Sequence, residues 1–472
     1  MTSMRKPSQG AGTAAYVALL LGAVGLFVLI DAGGSDLVAP APSAPMSANI
    51  DTDGSPNPLL HVLLMLTAVV ALGGVLGQLF RRVGQPAVIG EVVAGLALGP
   101  SLLGRVWPEA TEFLLPTSVA PVLSVIAQIG VILYMFLIGL ELNPGLLKDR
   151  TQATLAISHA SIVVPFILGA ALALILYPRV SSSDVPFTSF ALFFGVAMSI
   201  TAFPVLARIL TDQRLQATPL GVLALACAAT GDATAWCLLA FVVGVAQAKV
   251  SGAFFVIGLT LAFIAFMFLI VRPMAKRMLR STDSTPLTRG GVAVVLVALL
   301  LSALITEWIG IHAIFGAFLL GAVIPHDSAV AREFIHKLED LVTVLLLPAF
   351  FALTGMRVQI GLVNGLEQWL ICLLIIVVAT VGKFGGTMVS ARLTGLDWRG
   401  ASALGLLMNT RGLMELIVLN IGLDLHIISP TLFTMMVLMA LVTTIATTPL
   451  VRMLGFGEDA SPSRSRSPSA SG

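Results

Sequence analysis

Long apolar runs separated by short polar breaks fill the chain from Leu59 to Leu454. Most are long enough to cross a bilayer and lack the alternation of a half-buried strand, so they read as membrane-spanning helices. Thirteen are expected, near 59–80, 86–103, 121–140, 153–177, 187–210, 219–245, 253–271, 290–308, 311–325, 341–356, 366–391, 400–421 and 430–454. Before them, Arg5 and Lys6 precede an apolar run from Ala14 to Ile30, the pattern of either a signal peptide or a retained extra helix. The Ala, Pro and Ser of APAPSAP mark the rest of 1–58 as an extracytoplasmic linker. Residues 59–455 form one transmembrane domain, and 456–472, with SPSRSRSPSASG, read as a disordered cytoplasmic tail.

Composition agrees with an all-α polytopic membrane protein: 57% of residues are hydrophobic and 11% charged, against about a quarter charged in soluble domains. A net charge of +2 points to no nucleic acid. Cys227, Cys237 and Cys372 have no CxxC spacing and read as packing residues, and the histidines form no metal-binding cluster. TVGKFGGT around Lys383 lacks the first glycine of a phosphate loop, because that position is Val377. No GxGxxG regulatory nucleotide fold follows the spans, so no cofactor and no enzyme chemistry are expected. Loops on one side carry 18 Lys and Arg against 4 on the other, which places the C-terminus in the cytoplasm of a plasma or inner membrane.

Several spans resemble one another in order. IGEVVAGLALG in the second matches IHAIFGAFLLG in the ninth, and FLIGLELN in the third matches ALTGMRVQ in the tenth. SITAFPVLARIL in the fifth matches MNTRGLMELIVL in the twelfth. Partners lie seven spans apart, an odd number, so the two copies point oppositely: an inverted repeat, as in secondary transporters. The fifth span is expected to break at Ser199, Thr201 and Pro204, where proline removes a donor and frees a carbonyl. The twelfth is expected to break at Asn409, Thr410, Arg411 and Gly412.

Charges inside the spans are the candidate chemistry. Asp232 lies at the midpoint of the run Pro219–Val245, between small residues that leave room for water and an ion. An ionised carboxylate there costs roughly 2.5–3.5 kcal/mol on insertion scales, so an ion or proton site outweighs a structural role. Lys383, within Gly382-x-x-x-Gly386, is its expected countercharge when no cation is bound. Arg411 and Glu415 stand four apart on one helix face and are expected to neutralise each other. Glu141 and Arg357 occupy matching places in the two copies and read as loop braces, while Glu91 stands alone.

Together Asp232, Lys383, MNTRGLMELIVLNIGLD, GEVVAGLALGPSLLG, FLIGLEL and SITAFPVLARIL resemble the monovalent cation:proton antiporter-2 family over Leu59 to Leu454. The resemblance implies thirteen helices with two discontinuous ones crossing beside the essential aspartate, a homodimer, and elevator-like movement of a core domain. It also implies that Thr201 lines the crossing and that Lys383 is the basic partner. Relatives place an acid or Asn before the aspartate; here it is Gly231, which leaves stoichiometry open.

The expected function is antiport of Na+ or K+ against protons by alternating access. Asp232 binds both in turn, Lys383 competes with the cation, and Ser199, Thr201 and freed carbonyls complete its shell. A gated cation channel is the first alternative, though no filter motif such as TVGYG appears. A proton-coupled exporter of a small organic solute is the second, with only Trp236 and Phe203 as aromatic lining near Asp232.

Overall fold

The computed structural model describes residues 9–37, 58–114, 116, 120–141, 151–216, 218–247, 253–280 and 289–456. Most of the expected linker and the tail from 457 lie outside the described residues. Apolar runs in lipid must satisfy their own backbone, and among the described residues the regular structure is helical throughout.

In chain order, leaving aside short helical turns, the helices are α1 (Gln9–Gly34), α2 (Pro58–Arg82), α3 (Ala87–Leu98), α4 (Ala120–Glu141), α5 (Thr151–Val180), α6 (Phe187–Ser199), α7 (Phe203–Asp212) and α8 (Pro219–Gln247). Next come α9 (Ala253–Phe266, continuing to Arg272–Arg280), α10 (Arg289–Ile309), α11 (Ala313–Val323) and α12 (Ala329–Leu341, continuing to Leu347–Arg357). The last four are α13 (Gly365–Thr380, continuing to Gly386–Leu393), α14 (Trp398–Met408), α15 (Leu413–Asp424) and α16 (Pro430–Met453). A helix or helix pair thus occupies each of the thirteen expected stretches. Ten are long and apolar enough to cross a membrane alone, and α14 with α15, bent by 43°, makes an eleventh candidate. The run after Arg5 and Lys6 is also helical. Its Phe27 ring lies 5.8 Å from Phe166 of α5, and its Asp31 accepts a 2.6 Å hydrogen bond from Thr188 of α6.

Packing follows the order of the repeat. α3 lies against the second half of α12, and α11 lies against α4. Those two contacts exchange when the second and third spans are mapped on the ninth and tenth. The pairings of α2 with α3 and α10 with α11 exchange likewise, as do α5 with α6 and α13 with α14. Glycine makes the closest approaches possible: a Cβ on Gly355 would strike the Gly95 backbone, and one on Gly139 would strike Gly321. Both fall in the motifs by which the repeat is read.

The centre of the bundle is α8. Its apolar window is 71% buried, against 28% for α10 and 17% for the α9 segment, so α9 and α10 face outward. An interior helix that carries a carboxylate must therefore find its partners among other helices, not in headgroups or water.

Candidate functional site

The fifth and twelfth spans break where the sequence places their polar residues. α6 ends at Ser199, Ile200 and Ala202 are extended, and α7 resumes at Phe203 with proline in its first turn. α14 ends at Met408 and α15 begins at Leu413. The two breaks cross and bond to each other. The Ala202 N–H donates to the Thr410 carbonyl at 3.0 Å, and the Thr201 hydroxyl donates to the Met408 carbonyl at 3.1 Å. Gly412 sits on the crossing, where a Cβ would come within 2.7 Å of Val205 Cγ2.

A break leaves four helix ends inside the membrane, each with unsatisfied backbone groups and a partial charge. The C-terminal end of α6 is met by two buried cations. Arg411 donates to the Ala197 carbonyl at 3.1 Å and the Met198 carbonyl at 2.8 Å, and the Lys383 ammonium donates to the Ser199 carbonyl. Lys383 also donates to the Ser161 carbonyl of α5 at 3.0 Å. It reaches both from Val381–Gly385, a wider π-type turn inside α13. At the C-terminal end of α14, the Thr410 hydroxyl donates to the Leu407 carbonyl at 2.7 Å, beside the bond from Thr201. In the first turn of α15, Glu415 pairs with Arg411 at 2.6 Å, both side chains fully buried. Arg411 therefore does more than the expected neutralisation of Glu415, because it ties α15 to the end of α6.

The fourth end, the start of α7, faces Asp232. The Phe203 N–H and the Lys383 ammonium both lie within electrostatic reach of this carboxylate, which is 4% exposed. No side chain hydrogen-bonds either of its oxygens; the Phe203 N–H is the backbone donor directed at them. Lys383 and Asp232 are thus brought into one neighbourhood without a direct bond, since the ammonium is spent on carbonyls. Ser199 is buried at the same place, its hydroxyl 2.7 Å from the Gly195 carbonyl and 3.0 Å from that of Ile162. Asn409 is buried with its side-chain oxygen unpartnered.

Two residues of the crossing escape a sequence reading. Thr444 of α16 accepts from the Arg411 N–H at 3.0 Å and shares its one proton between the Arg411 carbonyl and its own Ala440 carbonyl, both at 2.7 Å. The hydroxyl pairs of VTTIATTPL are the signal that marks it. Ser161 of α5 is fully buried, lends its carbonyl to Lys383, and leaves its hydroxyl without a partner. Outside the crossing, Arg357 braces α12 to α15 through Asp424 and Asn420, both at 2.8 Å, and Glu141 takes no part in that brace. The Glu91 side chain lies against Gly73 of α2. Among the described residues no group of three His, Cys, Asp or Glu is placed to hold a metal ion.

Two discontinuous helices crossed in a helical bundle, with a buried acid at the crossing, define a membrane carrier of the inverted-repeat type. Comparison narrows the class: the chain belongs to the transmembrane sodium/hydrogen exchanger family, whose model matches residues 65–454. The Na+/H+ antiporter NhaS4 of Synechocystis is 45% identical over 398 residues, covering 84% of this chain and 97% of its own. Cation/H+ antiporter 19 of Arabidopsis thaliana is 37% identical over 83% of this chain, and K+/H+ antiporter 1 of Saccharomyces cerevisiae is 33% identical over 85%. The chain spans about half the length of these last two, 49% and 47%. The solved structure of the sodium proton antiporter MjNhaP1 from Methanocaldococcus jannaschii shares the fold. Its TM-score is 0.64 at 15% identity, covering 84% of this chain and 98% of that one.

Proposed function

We propose that the chain is a secondary antiporter exchanging Na+ or K+ for protons by alternating access, with Asp232 as the group that binds both. One observation carries the reading: of the four broken-helix ends, only the start of α7 meets a charged group that no side chain pairs with or hydrogen-bonds. An ionised carboxylate so buried costs several kcal/mol. A bound proton removes that cost by neutralising the charge, and a bound cation removes it by pairing, so the two occupants exclude one another. Exchange without leak follows, because the empty, charged carboxylate is the state least able to cross.

The remaining groups take supporting roles. Lys383 supplies a positive field that balances Asp232 when the cation has left. Thr201, Ser199 and the extended carbonyls between α6 and α7 offer oxygens to a cation that has shed its water, which suits a hard monovalent ion. The names of the relatives support a monovalent cation and a proton as the cargo. The protein works in the lipid bilayer of a plasma or inner membrane, as a homodimer, with its C-terminus in the cytoplasm, as the loop charges favour. The test is Asp232→Asn in proteoliposomes: cation-dependent proton movement should vanish while the purified protein remains folded. Exchange at the wild-type rate would overturn the reading.

A further inference from the structure

A cavity of about 530 Å³ opens where α10 passes into α11 and where α12 and α15 end. Ser124, Gln128, Glu307, His312, Arg357 and Asp424 give it polar walls. At about 30 Å³ per water, it holds on the order of fifteen waters. His312 borders a second, apolar layer beneath it, with Trp236 and Val243 of α8, Phe315 of α11 and Ile421 of α15. Trp236 follows Asp232 by one helical turn on the same face of α8, so this layer separates the aqueous cavity from the carboxylate. Trp236 is braced in turn by Phe318, with ring centroids 6.3 Å apart. His312 is therefore the polar residue at the neck.

Its backbone is held in a conformation that a side chain disfavours. φ is 76° and ψ is 136° at His312, which costs on the order of 1–3 kcal/mol and persists only where the surroundings impose it. They do. Gly310 also has a positive φ of 94°, and the N–H groups of Gly310 and Ile311 both donate to the Thr306 carbonyl, at 3.1 and 3.0 Å. Glu307 closes the turn by accepting from the Ala313 N–H at 2.8 Å. The imidazole Nδ1 is buried with no hydrogen-bonding partner. A structural histidine would use that nitrogen. This one is held at the neck by strain and left open.

We propose that His312 gates this mouth of the pathway: neutral, it admits a cation toward the Trp236 layer, and protonated, it repels one. The charged groups facing it are Glu307 from α10, Asp424 from α15 and Arg357 from α12, which together leave one negative charge; α4 adds only Ser124 and Gln128, and α8 adds only uncharged side chains. An imidazolium cancels that charge and with it the attraction for a cation. Cation uptake from this face then depends on pH twice, once at Asp232 and once at His312. The inference rests on Asp232 as the exchange site.

The experiment measures the KM for Na+ and for K+ in proteoliposomes of the full chain, with pH varied on one face at a time. Wild type and His312→Gln should agree at alkaline pH, where the imidazole is neutral, and diverge as the pH falls and it takes up a proton. At acid pH the variant's KM on one face should be about tenfold lower than wild type, equal to about 1.4 kcal/mol, with the other face unchanged. His312→Arg should keep KM high at every pH. His312→Gly accepts the positive φ, and should behave as the Gln variant does even if Gln strains the turn. Profiles that superimpose on wild type, or that shift equally on both faces, overturn the gate. Failure of the Asp232 reading shows separately, as exchange surviving in Asp232→Asn.

Discussion

Lys383 is the residue whose two roles separate most cleanly in an experiment. At 1% exposure its ammonium donates to the carbonyls of Ser161 and Ser199, tying α5 to the broken end of α6. In the proposed mechanism its charge also competes with a cation at Asp232. Lys383→Met removes both functions; Lys383→Gln removes the charge and keeps an amide donor. Both are spared the cost of burying an ammonium, so their difference isolates the carbonyl bonds. An orphaned buried carbonyl costs about 1–3 kcal/mol. The Gln variant should therefore be the more stable by about that amount for each carbonyl it reaches. Thermal unfolding of the detergent-purified protein reads this as a Tm gap on the order of 2–4 °C. In proteoliposomes both variants should bind the cation at lower concentration than wild type, since nothing competes for the carboxylate. Equal stability of Met and Gln would show that the carbonyl bonds do not hold the crossing. An unchanged KM in both would show that the ammonium does not compete.

Breaking the buried pair from either side should be severe, about 3–5 kcal/mol. Arg411→Met should cost more than Glu415→Gln, because it also strips the Ala197 and Met198 carbonyls; the double variant should be milder than the sum by about 1–3 kcal/mol, read by thermal unfolding. Thr444→Val should destabilise by about 1–3 kcal/mol and lower exchange, because the Arg411 N–H and carbonyl both lose their partner, while Thr444→Ser keeps both bonds and should restore them. Gly412→Ala places a methyl 2.7 Å from Val205 Cγ2 and should cost about 1–3 kcal/mol through displacement of the crossing, with turnover reduced in protein that still folds.

Much of this was legible before the structure, and the reason is lipid. A chain that must satisfy its backbone within each segment writes its helices as apolar runs, while a break as short as TEWIG, most of which lies inside α10, marks the division from α11 only weakly. The breaks were legible because Pro204, Asn409 and Gly412 are costly in an unbroken helix. The repeat was legible because Gly139 and Gly355 are read twice, each where two backbones must touch. Partnership was not legible. Lys383 reads as a countercharge to Asp232 and lies within its electrostatic reach, but the carbonyls of α5 and α6 that its ammonium also bonds leave no mark in the sequence. Arg357 reads as a brace, and the sequence does not say that Asp424 is what it braces to. Spacing along a chain gives the face of a helix, and it does not give which neighbour that face meets. Thr444 shows the same limit: its hydroxyl bonds its own preceding turn at Ala440, as hydroxyls in membrane helices commonly do, and only the packing of α16 also brings it to Arg411.

The four ends of the crossing explain why one carboxylate is left without a fixed side-chain partner. Each end of a broken helix carries about half a unit charge that lipid cannot screen. Three of the ends have partners fixed within the protein: Arg411 and Lys383 at the end of α6, hydroxyls at the end of α14, and Glu415 at the start of α15. Because Arg411 serves two of these ends at once, it holds the geometry of the crossing whatever the cargo. The start of α7 is different. Its positive end faces Asp232, which no side chain pairs with or hydrogen-bonds, so the balance of charge there depends on what the carboxylate holds. A site whose neutrality is completed by its cargo, inside a frame whose other ends are neutral without it, responds to a proton or a cation and leaves the rest of the bundle undisturbed.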